Sequence, residues 1–117
     1  MSKKEFLEFA EQMKTYLEAN KINTINKKRF KDMQRMFEIA TELFPDMNIE
    51  FQEDPLQLGR IILCIKGYGF DVSGTERTKM FVELISNADN FEVYSNEEEV
   101  ISLDIMYGDV FDVKLIK

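Results

Sequence analysis

The chain has 117 residues, a formal net charge of −7, a single cysteine (Cys64) and no histidine. A chain of this length is one domain that buries about two-thirds of its unfolded surface. Because histidine and cysteine supply many general bases, nucleophiles and zinc ligands, this composition argues against an enzyme, a metal centre or a cofactor. No apolar run approaches the roughly 20 residues that span a bilayer, and a lone cysteine suits a reducing compartment. We therefore expect a cytoplasmic protein without membrane contact.

The first 44 residues have the three- and four-residue apolar spacing of two amphipathic helices. The first helix is predicted over 3–19. The second is predicted over 26–44, where Pro45 ends it because proline disfavours helical geometry in the residue before it. The short connection predicts an antiparallel helix pair, and the broad apolar stripe of the second helix predicts a broad buried face. The stripe consists of Phe30, Met33, Met36, Phe37, Ile39, Ala40, Leu43 and Phe44.

From residue 46 the apolar period changes to two, which is typical of strands. Strands are predicted at 47–51, 58–66, 91–95, 100–106 and 110–116, and the second should be central because it is apolar on both faces. Ser73-Gly74-Thr75-Glu76 fits a capping box at the start of a third helix that runs to Asn87. The order ααββαβββ predicts an α+β two-layer sandwich, in which a mostly antiparallel sheet of about five strands has three helices on one face. The helix pair takes up about 3–44, and the sheet with its helix about 46–117.

The stretch SLDIMYGDVFDV places three aspartates in the last predicted hairpin. Side-chain alternation requires Ile105 and Phe111 to share the core face, so a three- or five-residue loop should pair them, with Gly108 at a position of positive φ. In that register Asp104 lies directly opposite Asp112 on the outer face, where like charges are destabilising. Three interpretations of the Asp104–Asp112 pair remain open. The pair could be solvated and tolerated by the fold, it could bind a Lys or Arg of a partner protein, or it could bind a metal ion.

The acidic residues are concentrated in the sheet half of the chain. Residues 45–117 have a formal net charge of −9, whereas residues 1–44 have +2. An excess of negative charge of this size repels nucleic acid and attracts basic protein surfaces. We therefore expect an acidic, non-enzymatic module that docks on a basic protein surface, for example as an inhibitor that occupies a nucleic-acid-binding groove. The predicted partner-binding residues are Asp104, Asp112, Asp109, Glu97, Glu98 and Glu99.

Two other function classes remain open from the sequence. A divalent-metal-dependent enzyme would use carboxylates, with Asp104, Asp112 and Glu50 as candidates. A structural or assembly subunit would use the apolar residues predicted on the outer face of the sheet, which are Ile62, Val110 and Ile116. The sequence does not indicate the oligomeric state.

Overall fold

The computed structural model of the chain describes residues 4, 5, 7–9, 11, 12, 15, 24, 25, 27–54, 56, 59–96, 98 and 100–112. These residues form an α+β fold with three helices and a four-stranded antiparallel sheet. The described positions within 4–15 are helical (α1), α2 spans Lys27–Leu43, and α3 spans Thr75–Ser86. The strands are β1 (Thr24–Ile25), β2 (Asn48–Glu53), β3 (Ile61–Gly67), β4 (Asn90–Ser95), β5 (Ile101–Tyr107) and β6 (Phe111–Asp112).

The main sheet has the strand order β2-β3-β5-β4, and each neighbouring pair is antiparallel. β3 lies in the interior of the sheet, which confirms the prediction from its two apolar faces. The hairpins β2–β3 and β4–β5 meet where β3 pairs with β5, and α3 connects one hairpin to the other. β1 and β6 form a separate two-stranded pair.

The predicted element order and strand number need correction. The strand predicted at 110–116 is described as far as residue 112, where it contributes Phe111–Asp112 to β6, and residues 113–116 lie outside the described residues. The main sheet has four strands rather than about five, and a short strand, β1, precedes α2. β1 was missed because a two-residue strand carries no readable alternation. The main sheet has one strand fewer because β6 pairs with β1 instead.

The hydrophobic core lies between the helices and one face of the sheet. The stripe of α2 is buried from Met33 to Phe44 as predicted, Phe30 and Phe9 pack against the same cluster, and Leu84 of α3 is fully buried in it. The sheet contributes side chains at alternate positions, as strand geometry requires. These sheet residues are Ile49, Phe51, Ile61, Leu63, Ile65, Leu103, Ile105 and Tyr107.

The start of α3 differs from the predicted capping box. Gly74, with a φ of 88°, precedes the helix, and no side chain forms a cap hydrogen bond there. The Ser73 hydroxyl instead donates to Asp71 Oδ1 at 2.6 Å, and this bond lowers the pKa of the Asp71 carboxyl. Glycine suits this position because it adopts positive φ without steric cost. The capping box is therefore wrong, although the helix that it introduced is present.

The predicted hairpin between the last two strands is also wrong. β5 pairs with β3 on one side and with β4 on the other, so neither of its edges is left for β6. After β5 the chain turns at Asp109, whose φ is 57°, and the Val110 N–H donates to the Gly59 carbonyl oxygen at 3.1 Å. The positive φ thus falls on Asp109 rather than on Gly108. A Cβ at Gly108 would meet the Asp89 carboxylate, whose exposed side chain would have to move aside.

A buried ion pair closes the β2–β3 hairpin. Arg60 Nε donates to Asp54 Oδ2 at 2.5 Å, and the exposed fractions of the two side chains are 20% and 3% respectively. The second oxygen of Asp54 accepts the Leu56 N–H at 2.9 Å. Because water barely reaches this carboxylate, the guanidinium and the backbone N–H replace its hydration.

Candidate functional site

The outer face of the sheet, opposite the core, carries a line of three carboxylates and one thiol that crosses the four strands. The register places Glu50 of β2 opposite Cys64 of β3, and Cys64 opposite Asp104 of β5. Asp104 in turn lies opposite Glu92 of β4. Directly opposed side chains have Cβ atoms about 5 Å apart, whereas Glu50 lies two strand spacings, about 10 Å, from Asp104. We call Glu50, Asp104 and Glu92 the acidic row.

The two ends of the acidic row accept hydrogen bonds from neutral neighbours on their own strands. Gln52 Nε2 donates to Glu50 Oε1 at 2.9 Å. The Tyr94 hydroxyl donates to a carboxylate oxygen of Glu92, and this bond raises the pKa of Tyr94. Neutral donors satisfy carboxylate oxygens without removing the negative charge. These two hydrogen bonds therefore bring no positive charge to either end of the row.

The middle of the acidic row holds a protonated thiol beside a carboxylate. Burial, together with the charge of Asp104, a hydrogen bond to it and the charge of Glu50, raises the pKa of the Cys64 thiol from 9.0 to about 12. The thiol is therefore neutral at physiological pH and donates to Asp104. A thiol with so high a pKa is a poor nucleophile, since the thiolate is the reactive form.

Basic residues do not neutralise the acidic row within the described part of the chain. The ion pairs there join Arg29 to Asp32, Arg35 to Glu83 and Arg60 to Asp54, and none of them includes a member of the row. Lys66 is the one basic residue that the four described strands place on this face, next to the row and opposite Asn48 and Ser102.

The side chains beside the acidic row are partly apolar. Ile62 of β3 lies opposite Met106 of β5, one position along the sheet from the row. Met106 is 9% exposed but does not belong to the core cluster, and Ile62 is half-buried. The outer face thus combines the acidic row with the partly accessible side chain of Ile62, whereas Met106 is covered and adds little surface.

The predicted partner-binding residues do not form one patch. Asp104 lies in the middle of the outer face, whereas Glu98 is exposed in the turn before β5 and Asp109 is exposed after its end. The length of β5, about 3.4 Å per residue, therefore separates Glu98 from Asp109. Glu97 and Glu99 lie outside the described residues.

The carboxylate that opposes Asp104 is Glu92 rather than Asp112. The backbone of Asp112 pairs with Thr24 of β1, and its side chain lies outside the described parts of the structure. Alternation within the predicted strand FEVYS is the signal that could have placed Glu92 on the outer face. The pairing of Glu92 with Asp104 could not be predicted, because alternation does not reveal which strands lie side by side.

The described residues do not include a group of three or more potential metal ligands placed to hold an ion. Glu50 and Asp104, two of the carboxylates considered for a metal-dependent enzyme, are separated by the width of β3. Calcium takes six to eight oxygen ligands, which residues so spaced on a flat sheet do not supply. Among the described helices, none is long and apolar enough to cross a membrane.

A cleft of about 290 Å³ lies where the end of α2 meets the start of α3. Arg77 lines it, and its Nη2 donates to the carbonyl oxygens of Leu43 at 2.8 Å and Asp71 at 2.6 Å. Arg77 therefore joins the end of α2 to the loop before α3, and this role explains its position without a ligand.

The outer face of the sheet is thus the surface on which the described residues bring charge and apolar groups together. Comparison of the chain with protein-family models, with curated proteins and with solved structures finds no match.

Proposed function

We propose that this protein is a cytoplasmic, non-enzymatic module whose outer sheet face docks on a basic protein surface. The observation that carries the proposal is the acidic row, in which Asp104 and Glu92 oppose each other on adjacent strands. A like-charge pair of this kind is destabilising within the roughly 0.2–1 kcal/mol typical of cross-strand pairs. A partner's Lys or Arg placed over the pair would turn this repulsion into attraction.

The row favours arginine-rich partners in particular. Asp104 and Glu92 have Cβ atoms about 5 Å apart, and a guanidinium is the planar cation that bonds carboxylates through paired donors. The half-buried side chain of Ile62, one position along the sheet, suits the methylene stem of such a side chain. Clustered arginines are typical of nucleic-acid-binding grooves, so one form of this function is an inhibitor that occupies such a groove.

The test compares two variants with the same net charge. Asp104→Asn with Glu92→Gln removes two charges from the acidic row, whereas Glu38→Gln with Glu42→Gln removes two from exposed positions on α2. Each immobilised protein is used to capture partners from host lysate, and the affinity of a captured partner is then measured at low and high salt.

We expect the row variant to lose the partner and the α2 variant to keep it. Binding by the wild-type protein should weaken as salt rises, because salt screens attraction between exposed charges. If both variants bind with the affinity and salt dependence of the wild type, the outer face is not the docking surface.

A further inference from the structure

The sheet has two edge strands, and the helix layer covers only one of them. On β2, the inner-face residues Ile49 and Phe51 are 4% and 3% exposed. On β4, the inner-face residues Phe91 and Val93 are 44% and 52% exposed. Among the described residues β4 pairs with β5 alone. β4 therefore presents apolar side chains beside an open strand edge.

The backbone of β4 is placed to accept another strand. The Asn96 N–H donates to the Val100 carbonyl oxygen at 3.3 Å, which continues the β4–β5 ladder. Because alternate residues of an antiparallel strand bond to the same neighbour, Phe91, Val93 and Ser95 direct their N–H and C=O groups to the open edge. The Phe91 N–H donates to Asn90 Oδ1 at 2.9 Å, and an added strand would replace this bond. β4 contains no proline or lysine, and its pairing with β5 has no bulge. Natural edge strands commonly use such features to prevent association.

We propose that β4 pairs with β4 of a second copy of this chain, antiparallel about a twofold axis at Val93. The outward backbone groups belong to odd-numbered residues, so a symmetric pairing must match odd with odd. Phe91 and Val93 of both copies then lie on the same face of one continuous sheet. In this register Val93 lies opposite Val93 of the second copy, and Phe91 lies opposite Ser95 of the second copy.

Charge complementarity selects this register. With the axis at Val93, Glu92 lies opposite Tyr94 of the second copy, which is the donor–acceptor combination that these residues already form within one chain. An axis at Glu92 would place two carboxylates opposite each other, and an axis at Phe91 would place Val93 opposite Asp89 of the second copy. An axis at Tyr94 would place Phe91 opposite a glutamate of the following loop. The Val93 register avoids all three conflicts.

The proposed dimer is independent of the proposed function, and salt separates the two. Pairing between strand edges leaves the outer face open, so the acidic row is available in either state. Each copy carries a net charge of −7, so the copies repel each other and the dimer should tighten as salt rises. Binding to a basic partner should weaken under the same change.

The first experiment measures mass in solution by light scattering after gel filtration. We expect twice the chain mass of 13.8 kDa for the wild-type protein, and a return to 13.8 kDa for Val93→Lys, because lysine at an edge opposes strand pairing. Leu56→Lys is the control, since it changes a 90% exposed aliphatic residue between β2 and β3, and it should remain dimeric. Circular dichroism shows whether each variant is folded.

The second experiment tests the register by cross-linking in a Cys64→Ala background. Val93→Cys should form an intermolecular disulfide on mild oxidation, because Cα atoms of hydrogen-bonded opposed residues are about 5.5 Å apart. Phe91→Cys should not, since four residues of strand, about 14 Å, separate it from its symmetry mate. A wild-type protein of 13.8 kDa at millimolar concentration, a dimeric Val93→Lys variant, or equal cross-linking of the two cysteine variants would each overturn the proposal.

Discussion

Replacing Arg60 by methionine tests how much the buried ion pair at the β2–β3 hairpin stabilises the fold. The substitution keeps the apolar stem but removes the cation that lies 2.5 Å from an Asp54 oxygen, while the Asp54 side chain is 3% exposed. Removing one partner of a buried pair destabilises by roughly 3–5 kcal/mol. Since Arg60 itself is 20% exposed, we expect the lower end of this range, about 3 kcal/mol.

The matched control is the exposed pair of Arg35 and Glu83. Its closest atoms are 3.4 Å apart and its side chains are 59% and 42% exposed, so Arg35→Met should change the free energy of unfolding by less than about 1 kcal/mol. Urea unfolding followed by far-ultraviolet circular dichroism gives both values, because the midpoint shifts with stability while an unchanged slope shows that the unfolded state is comparable.

A third variant separates charge from packing. Adding Asp54→Asn to Arg60→Met removes the buried charge as well as the cation, so the double variant should be more stable than Arg60→Met alone. If Arg60→Met costs no more than Arg35→Met, or if the double variant is the least stable of the three, the reasoning about the buried charge is wrong.

Four further predictions concern the core and the acidic row. Phe37→Ala should reduce the free energy of unfolding by roughly 3–5 kcal/mol, because the Phe37 side chain is 6% exposed and its ring centroid lies 6.1 Å from that of Phe51. A loss below about 1 kcal/mol would show that Phe37 is not part of the core. Asp104→Asn should raise thermal stability by less than about 1 kcal/mol, because it removes the repulsion from Glu92; a fall would instead indicate a stabilising cation at that position. Cys64 should react with iodoacetamide at pH 8 about 10- to 100-fold more slowly in the folded than in the urea-unfolded chain, and faster in folded Asp104→Asn than in the folded wild type; equal rates for the two folded proteins would refute the electrostatic argument. The same raised pKa predicts that stability declines as pH rises above 9.0, where the unfolded thiol ionises and the folded one does not until about 12.

The sequence was sufficient to predict which side of an element is buried wherever the apolar period extended over several helical turns or strand residues. The stripe of α2 is buried as predicted, and Ile49 and Phe51 point inward as the alternation in MNIEF requires. The interior position of β3 also followed from the apolar side chains on both of its faces. In each case a local pattern determines which side of an element is buried, and the core then fixes its orientation.

The sequence was insufficient where the fold depends on which strands become neighbours. The alternation around Asp104 correctly placed it on the outer face, but the prediction assumed that the strand following β5 pairs with it. β5 is already paired on both sides, and the turn at Asp109 directs the chain towards Gly59 instead. The acidic row was missed for the same reason, because Glu50, Asp104 and Glu92 come from three strands whose order is not encoded in any one of them.

The strand order also has a consequence for the folding pathway. β2–β3 and β4–β5 are hairpins between consecutive strands, which form on a timescale of about 1–10 μs when isolated. The β3–β5 pairing joins segments that are far apart in the chain, with α3 between them. Closing that long loop costs entropy before any contact stabilises it, so we expect it to limit the folding rate. In the β3–β5 pairing Leu63 lies opposite Ile105, and Leu103 lies opposite Ile65. Substitutions at Leu63 and Leu103 should therefore slow folding more than they accelerate unfolding.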